Sequence, residues 1–154
     1  MQLIQATTTE HIEQARQLFE EYAASLGFSL CFQNFDQELA DLPGKYSPPS
    51  GRLLLAYSND QLSGCIALRR HDAETCEMKR LFVRPTSRGG GLGRVLINAI
   101  LDEARAIGYK RMYLDTVPGK MDKAIFLYEG IGFRDIEPYY ASPVEGARFL
   151  ALEL

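Results

Sequence analysis

Arg88-Gly89-Gly90-Gly91-Leu92-Gly93 is the stretch on which the fold turns. It follows an apolar run ending Leu81-Phe82-Val83-Arg84-Pro85 and precedes a periodic one. In the latter, Leu92, Val95, Leu96, Ala99, Ile100, Ala104 and Ile107 form one helical face, closed by Gly108. The order is strand, glycine turn, helix. Such a turn exposes backbone N–H groups, the helix N-terminus adds partial positive charge, and glycine permits close approach, so the expected guest is a phosphate. The local charge agrees: Met78 to Leu101 holds five cations (Lys79, Arg80, Arg84, Arg88 and Arg94) and no Asp or Glu.

Two familiar phosphate loops do not fit. A P-loop ends Gly-Lys-Ser/Thr, but Gly93 is followed by Arg94-Val95. The dinucleotide fingerprint beginning at Gly91 and Gly93 needs a small residue at 96, which is Leu, and an acid about twenty residues on, where Lys110 and Arg111 stand.

Working outward, residues 2–6 read as a short strand, and Thr7 with Glu10 forms a capping-box pattern that opens a helix. Ile12, Ala15, Phe19, Tyr22 and Leu26 continue it to Gly27. An aromatic loop, 28–35, precedes a short helix over 36–42. Runs 52–57 and 62–69 form a hairpin through Ser58-Asn59-Asp60, and 75–83 extends the antiparallel sheet. After the long helix, 111–116 is a strand in parallel crossover beside the one before the glycine loop. Pro118-Gly119 opens another helix, ending at Gly130, and strands follow near 133–137 and 148–154.

The 154 residues fit one domain spanning 1–154, with 46% hydrophobic and 24% charged residues, an ordinary globular composition. A net charge of −3 gives no basic face for nucleic acid. Cys31, Cys65 and Cys76 make no CxxC pair and are odd in number, so neither disulfides nor a metal site is expected, and a reducing, cytoplasmic setting fits. The N-terminus lacks a basic n-region and no run reaches membrane-spanning length, so a soluble chain with no membrane partner is expected.

The pattern Arg-x-x-Gly-x-Gly over Arg88 to Gly93 resembles the acetyl-CoA motif of the GNAT superfamily of N-acetyltransferases. Ala124-Ile125-Phe126-Leu127-Tyr128-Glu129-Gly130-Ile131-Gly132-Phe133 is similar to that family's second motif, and the element order agrees throughout. The resemblance implies a GNAT-like α/β (α+β) fold. This is a single mixed, mainly antiparallel twisted sheet of about six or seven strands, flanked by about four helices. It also implies that N–H groups of Gly89, Gly90, Gly91, Leu92, Gly93 and Arg94 bind the pyrophosphate of coenzyme A. The backbone around Leu81, Phe82 and Val83 would pair with the pantetheine arm, and Arg88 and Arg94 would meet phosphates.

Acetyl transfer to an amine needs a base for the ammonium proton, an acid for the leaving thiolate and an N–H donor for the oxyanion. Glu77 stands eleven positions before Arg88, the spacing of the base Glu in the histone-acetylating branch of the family. Strand alternation puts it on one face with Lys79 and Leu81 unless a bulge intervenes; the other reading is a surface carboxylate paired with Lys79 or a neighbouring Arg. Tyr128 occupies the place of the family's thiolate-protonating tyrosine, the alternative being a core tyrosine. Val83 supplies the oxyanion N–H by the same analogy. Lys79, Arg80 and Arg84 read as solvated strand charges, and His11 and His71 as boundary residues.

By resemblance the acceptor enters between the loop after the first helix, with Phe28, Cys31, Phe32 and Phe35, and the connection before the last strand, with Pro138-Tyr139-Tyr140. Phe28, Phe32, Tyr139 and Tyr140 would wall an amine or fill core edges. The expected activity is acetyl transfer from acetyl-CoA to a small-molecule or amino-acid-like amine. The alternatives are a protein lysine or N-terminal acetyltransferase and a non-catalytic acyl-CoA sensor. Exposed strands leave a homodimer open.

Overall fold

The computed structural model describes residues 1–154, the side chain of Phe32 excepted. Seven strands, β1 (Gln2–Gln5), β2 (Arg52–Ser58), β3 (Gln61–Arg70), β4 (Thr75–Val83), β5 (Arg111–Thr116), β6 (Arg134–Asp135) and β7 (Arg148–Glu153), form one mixed sheet in the order β1-β2-β3-β4-β5-β7-β6. Only β4 and β5 run parallel. Four helices flank the sheet: α1 (Thr9–Ser25), α2 (Phe35–Asp41), α3 (Leu92–Ile107) and α4 (Asp122–Ile131).

The sheet divides two apolar clusters. One face buries Leu96, Ile97, Ile100 and Ala104 of α3 against Ile66, Met78, Met112 and Leu114. The other buries Ala15, Leu18 and Phe19 of α1 with Phe35 and Tyr46 against Leu53, Leu55, Cys65 and Phe82.

The strand boundaries of β4 and β5 and their parallel pairing are those expected from the sequence. The β2–β3 hairpin turns at Asn59 and Asp60, both with positive φ, the geometry of a tight two-residue turn. Other details differ. The cap of α1 is Thr8, whose hydroxyl accepts from His11 N while His11 Nδ1 accepts from Thr8 N, so the box sits one residue beyond Thr7/Glu10 with an imidazole as reciprocal acceptor. Helix α4 starts only after a turn in which Gly119 N donates to Asp122 Oδ1, and it runs through Gly130 to cap at Gly132. On α3, Val95 is exposed, and Ile97 and Leu101 complete the buried face.

Two features of β4 position the site. Its pairing with β5 covers only Thr75–Glu77, after which the strands part. Opposite Ile66 the register with β3 breaks: Cys65 pairs with Phe82 and Ala67 with Lys79, leaving Arg80 and Leu81 against one residue. Arg80 sits in the left-handed region (φ 61°) and forms a β-bulge. The bulge switches faces. Met78, Leu81 and Val83 face the α3 side, whereas Phe82 packs with α1, so Leu81 does not share a face with Glu77 as simple alternation predicts.

Candidate active site

Where β4 and β5 part, a cleft opens, lined by Met78, Lys79, Arg80 and Leu81 on one side and Leu114, Asp115 and Thr116 on the other. Tyr22 and Phe28 close one end, and Ala124 and Tyr128 of α4 the other. Arg84 N donates to Ser63 O, toward β3 (2.8 Å). Backbone edges alternate along a strand, so the N–H groups of Val83 and Leu81 turn away from β3, and Leu81 lies in the cleft wall.

Beyond the end of β4, the glycine turn leads into α3. Gly89 and Gly91 have φ of +92° and +80°, and a Cβ at Gly89, Gly90 or Gly91 would meet nothing within 4 Å. These glycines fill no packing gap in the fold; they keep a cradle clear. The first turn of α3 has no side-chain cap and no acid, leaving its N–H groups for an anion. Arg94 is exposed beside it, and Arg88 is held by a bond from Nε to Val83 O (2.9 Å) with its guanidinium over Phe82. Arg84 points elsewhere, bidentate to Glu21 of α1 at 3.0 and 2.8 Å. The donor set and the open cradle fit a pyrophosphate.

A second cavity, of about 600 Å³, opens on the α2 side of the sheet. Among its lining residues are Gln33, Glu38, Lys45, Tyr46, Arg69, His71, Glu77, Lys79, Tyr139 and Tyr140. It shares Gln33 and Lys79 with the cleft, so these two side chains stand between the cavities.

Glu77 is buried, 3% exposed, in the floor of this second cavity. Arg69 Nε donates to its Oε1 (2.9 Å), Tyr139 Oη to its Oε2 (2.6 Å), and Lys79 Nζ lies 4.0 Å away. Burial works to raise the carboxyl pKa, but Lys79, Arg69 and the hydrogen bonds from Tyr139 and Arg69 outweigh it, and the net shift is downward. Glu77 is thus ionised at neutral pH. Each of its oxygens keeps a lone pair for one more donor.

Lys79 and Arg80 are not solvated charges as their strand position suggests; they are 5% and 3% exposed. Lys79 Nζ donates to Gln33 Oε1 (3.0 Å) and lies 3.7 Å from Asp115. Burial, with Arg80 nearby, pushes its ammonium pKa down against the pull of Glu77 and Asp115. Arg80 turns its side chain to α2, with bonds of 2.9 and 2.8 Å to Glu38 and one of 2.9 Å to Gln33. Burial drives the Cys76 thiol up to about 12, so it holds no thiolate at neutral pH.

The expected site residues therefore fall into two groups. Glu77, Tyr139 and Tyr140 meet at the second cavity, where Tyr140 Oη also donates to Asp115 (2.5 Å). Tyr128, buried and pushed above an ordinary phenol by that burial, lines the cleft, and so does Phe28, which stands apart from the Tyr139–Tyr140 wall. Phe35 is a core residue and Cys31 is exposed; the expected role of Phe32 lies outside the described residues.

Arg69, Gln33 and Asp115 were not singled out by number from the sequence, and His71 was read as a boundary residue. Arg69 had a readable signal, since a tight turn over 71–74 sets it directly opposite Glu77. His71 packs on Tyr113 and Tyr139, at 5.2 and 5.3 Å between ring centres, and is part of the cavity wall.

The Acetyltransferase (GNAT) family model matches residues 10–133. An uncharacterized N-acetyltransferase of Schizosaccharomyces pombe is 38% identical over 147 residues, covering 94% of this chain and 90% of its own. An acetyltransferase from Streptococcus agalactiae superposes with a TM-score of 0.78 at 27% identity, over 99% of this chain and 98% of its own. A GNAT family acetyltransferase from Elizabethkingia anophelis with acetyl-CoA bound gives 0.60 at 26% identity, over 79% and 82% of the two chains. The chain belongs to the GNAT superfamily and is an N-acetyltransferase.

Proposed function

We propose that residues 1–154 act as one unit that moves an acetyl group from acetyl-CoA directly to the primary amine of a small-molecule acceptor. The observation that carries this reading is the meeting of two cavities at Lys79 and Gln33, with Tyr128 on the cleft side and Glu77 on the other. The glycine cradle with Arg88 and Arg94 holds the coenzyme's pyrophosphate, and the N–H groups of Leu81 and Val83 face its pantetheine arm. Bound acetyl-CoA supplies an activated acetyl group and a thiolate leaving group.

Glu77 accepts the proton of the incoming amine, directly or through one water. A hydroxyl such as that of Tyr128, with its pKa raised by burial, is a proton donor at neutral pH and serves the departing sulfur. An N–H group in the cleft, at Leu81 beside the bulge or at Val83, stabilises negative charge on the acyl oxygen. The second cavity has the volume of a small-molecule site, and Tyr46, Tyr139, Tyr140 and His71 give it aromatic walls, which favours a small amine over a protein segment.

The test is release of free thiol from acetyl-CoA against a panel of amines, amino acids and peptides. Release with small amines but not peptides is expected. Release only with peptides would support a protein acetyltransferase, and coenzyme binding without release across the panel would support a sensor.

A further inference from the structure

The residues around Glu77 pose an electrostatic problem for a simple amine. An alkylammonium approaching this carboxylate meets Arg69 at 2.9 Å and Lys79 at 4.0 Å from the same two oxygens, so a lone positive charge enters a spot already holding two. The charges gathered there, Arg69, Lys79 and Arg80 against Glu77, Asp115 and Glu38, sum to zero, so a neutral zwitterion fits the balance and a bare cation does not. Arg69 also offers the complementary group. Its Nε edge is committed to Glu77, but its two Nη groups have no hydrogen-bond partner among the described residues, and the side chain is 27% exposed in the cavity wall. A guanidinium fork with an open edge is suited to a carboxylate.

Resting on the transfer reading above, we infer that the acceptor is an amino acid whose carboxylate binds the Nη edge of Arg69 while its amine faces Glu77. The two functional groups then sit side by side on one guanidinium–carboxylate pair, the spacing of an α-amino acid or its β homologue. The side chain of the acceptor lies against Tyr139, which is stacked on Tyr113 (5.0 Å between centres, 21° between planes) and braced by Phe149. The ammonium loses one proton to Glu77, its nitrogen bonds to the acetyl carbon, and the carbon–sulfur bond breaks; the thiolate takes a proton from the Tyr128 hydroxyl, which the second nitrogen proton restores, giving an N-acetyl amino acid and the free thiol. The carboxylate takes no part in the chemistry; it holds the amine in place and offsets Arg69 and Lys79.

The experiment measures kcat/KM by thiol release for matched triplets: an amino acid, its carboxamide and the amine lacking the carboxyl group. It uses the wild type, Arg69→Gln and Arg69→Lys. The wild type is expected to prefer the acid over the amide by about 10- to 100-fold, the worth of a charge-assisted bidentate contact. In Arg69→Gln the rates for all acceptors fall, because Glu77 loses a partner, but the acid-to-amide ratio collapses toward one. Arg69→Lys, which keeps the charge without the fork, gives a ratio between the two and serves if the Gln variant does not fold.

Equal turnover of acid and amide by the wild type, or an unchanged ratio in both variants, overturns the inference while leaving acetyl transfer intact. If acetyl-CoA binds but no acceptor releases thiol, the transfer reading fails instead. The site is then judged by thermal shift with coenzyme A and the same triplets: stabilisation by the acid alone, lost in Arg69→Gln, supports it, and equal shifts for acid and amide reject it.

Discussion

Glu77 is kept ionised by a balance of opposed effects, and each side of that balance can be removed. Tyr139→Phe deletes the hydroxyl that donates to Oε2 at 2.6 Å and leaves the ring in its stack. A hydrogen bond to a charged group is worth about 1.5–3 kcal/mol, so the variant should lose stability of that order at pH 7. The sign of the pH dependence follows from linkage. Because the folded-state pKa of Glu77 lies below its unfolded value, its contribution is fully present above the ordinary carboxylate range and is lost as pH falls through the folded pKa. The gap between wild type and Tyr139→Phe should therefore narrow as pH drops below about 4.5. Urea midpoints at pH 7 and pH 4 measure it, and a gap independent of pH would show that the hydroxyl does not act through the charge of Glu77. Glu77→Gln tests the catalytic role: turnover should fall by about 100- to 10,000-fold with coenzyme A affinity intact. Tyr46 gives the opposite stability case. Its hydroxyl is buried without a hydrogen-bond partner, so Tyr46→Phe removes a desolvated group and should hold or raise the urea midpoint. A loss above about 1 kcal/mol would mean that the hydroxyl is satisfied after all.

The turn between β4 and α3 can be separated into a folding part and a binding part. Gly91 caps α3 at φ +80°, and Gly108 caps its far end at φ +109°; a Cβ at either would meet nothing within 4 Å. Alanine at both sites should therefore cost a similar 1–2 kcal/mol or so of left-handed backbone strain. Only Gly91→Ala places a methyl in the phosphate cradle, so only it should weaken coenzyme A binding, by about tenfold or more, measured by calorimetry beside Gly108→Ala. Equal affinities would remove the turn from the coenzyme site. This turn, the long helix after it and the bounds of β4 and β5 were readable because glycine and apolar spacing report backbone needs directly. The bulge was not, because an arginine occupies its left-handed position where a glycine would have announced it. The α1 cap was misplaced by one residue because His11 does the work of a Glu or Gln. The second cavity, the proposed acceptor site, was half readable. The Tyr139–Tyr140 wall lay in a segment that family resemblance marks, but Gln33 and Arg69 come from two other elements, and their meeting with Glu77 depends on tertiary packing and on the β3–β4 register.

Across the whole molecule, Arg80 ties the sheet to the helical layer that walls the second cavity. The bulge that diverts β4 turns this side chain onto the α2 face, where it bonds to Glu38 in bidentate fashion. It also lies 5.8 Å from the centre of the Tyr22 ring on α1 and 5.2 Å from that of Phe35 on α2. Helix α2 spans only seven residues, too few to hold its shape alone, so its position depends on such contacts. Arg80→Met keeps the length and the apolar packing but leaves the carboxylate of Glu38, 11% exposed, without its partner. Stranding a buried charge in this way costs about 3–5 kcal/mol, whereas replacing both members by apolar residues is often close to neutral. Arg80→Met should thus be strongly destabilised and Arg80→Met/Glu38→Leu largely restored, a coupling that a double-mutant cycle in urea reads directly. Gln37, Glu38 and Asp41 of α2 line the second cavity, the proposed acceptor site, and are absent from the lining of the β4–β5 cleft. Arg80 also lines the cleft, but its guanidinium turns to α2, so the folded double variant should show a raised acceptor KM with a smaller change in coenzyme A affinity. A change in coenzyme A affinity as large as that in acceptor KM would mean that the bulge sets the cleft and the cavity together, and that the two binding sites are mechanically one.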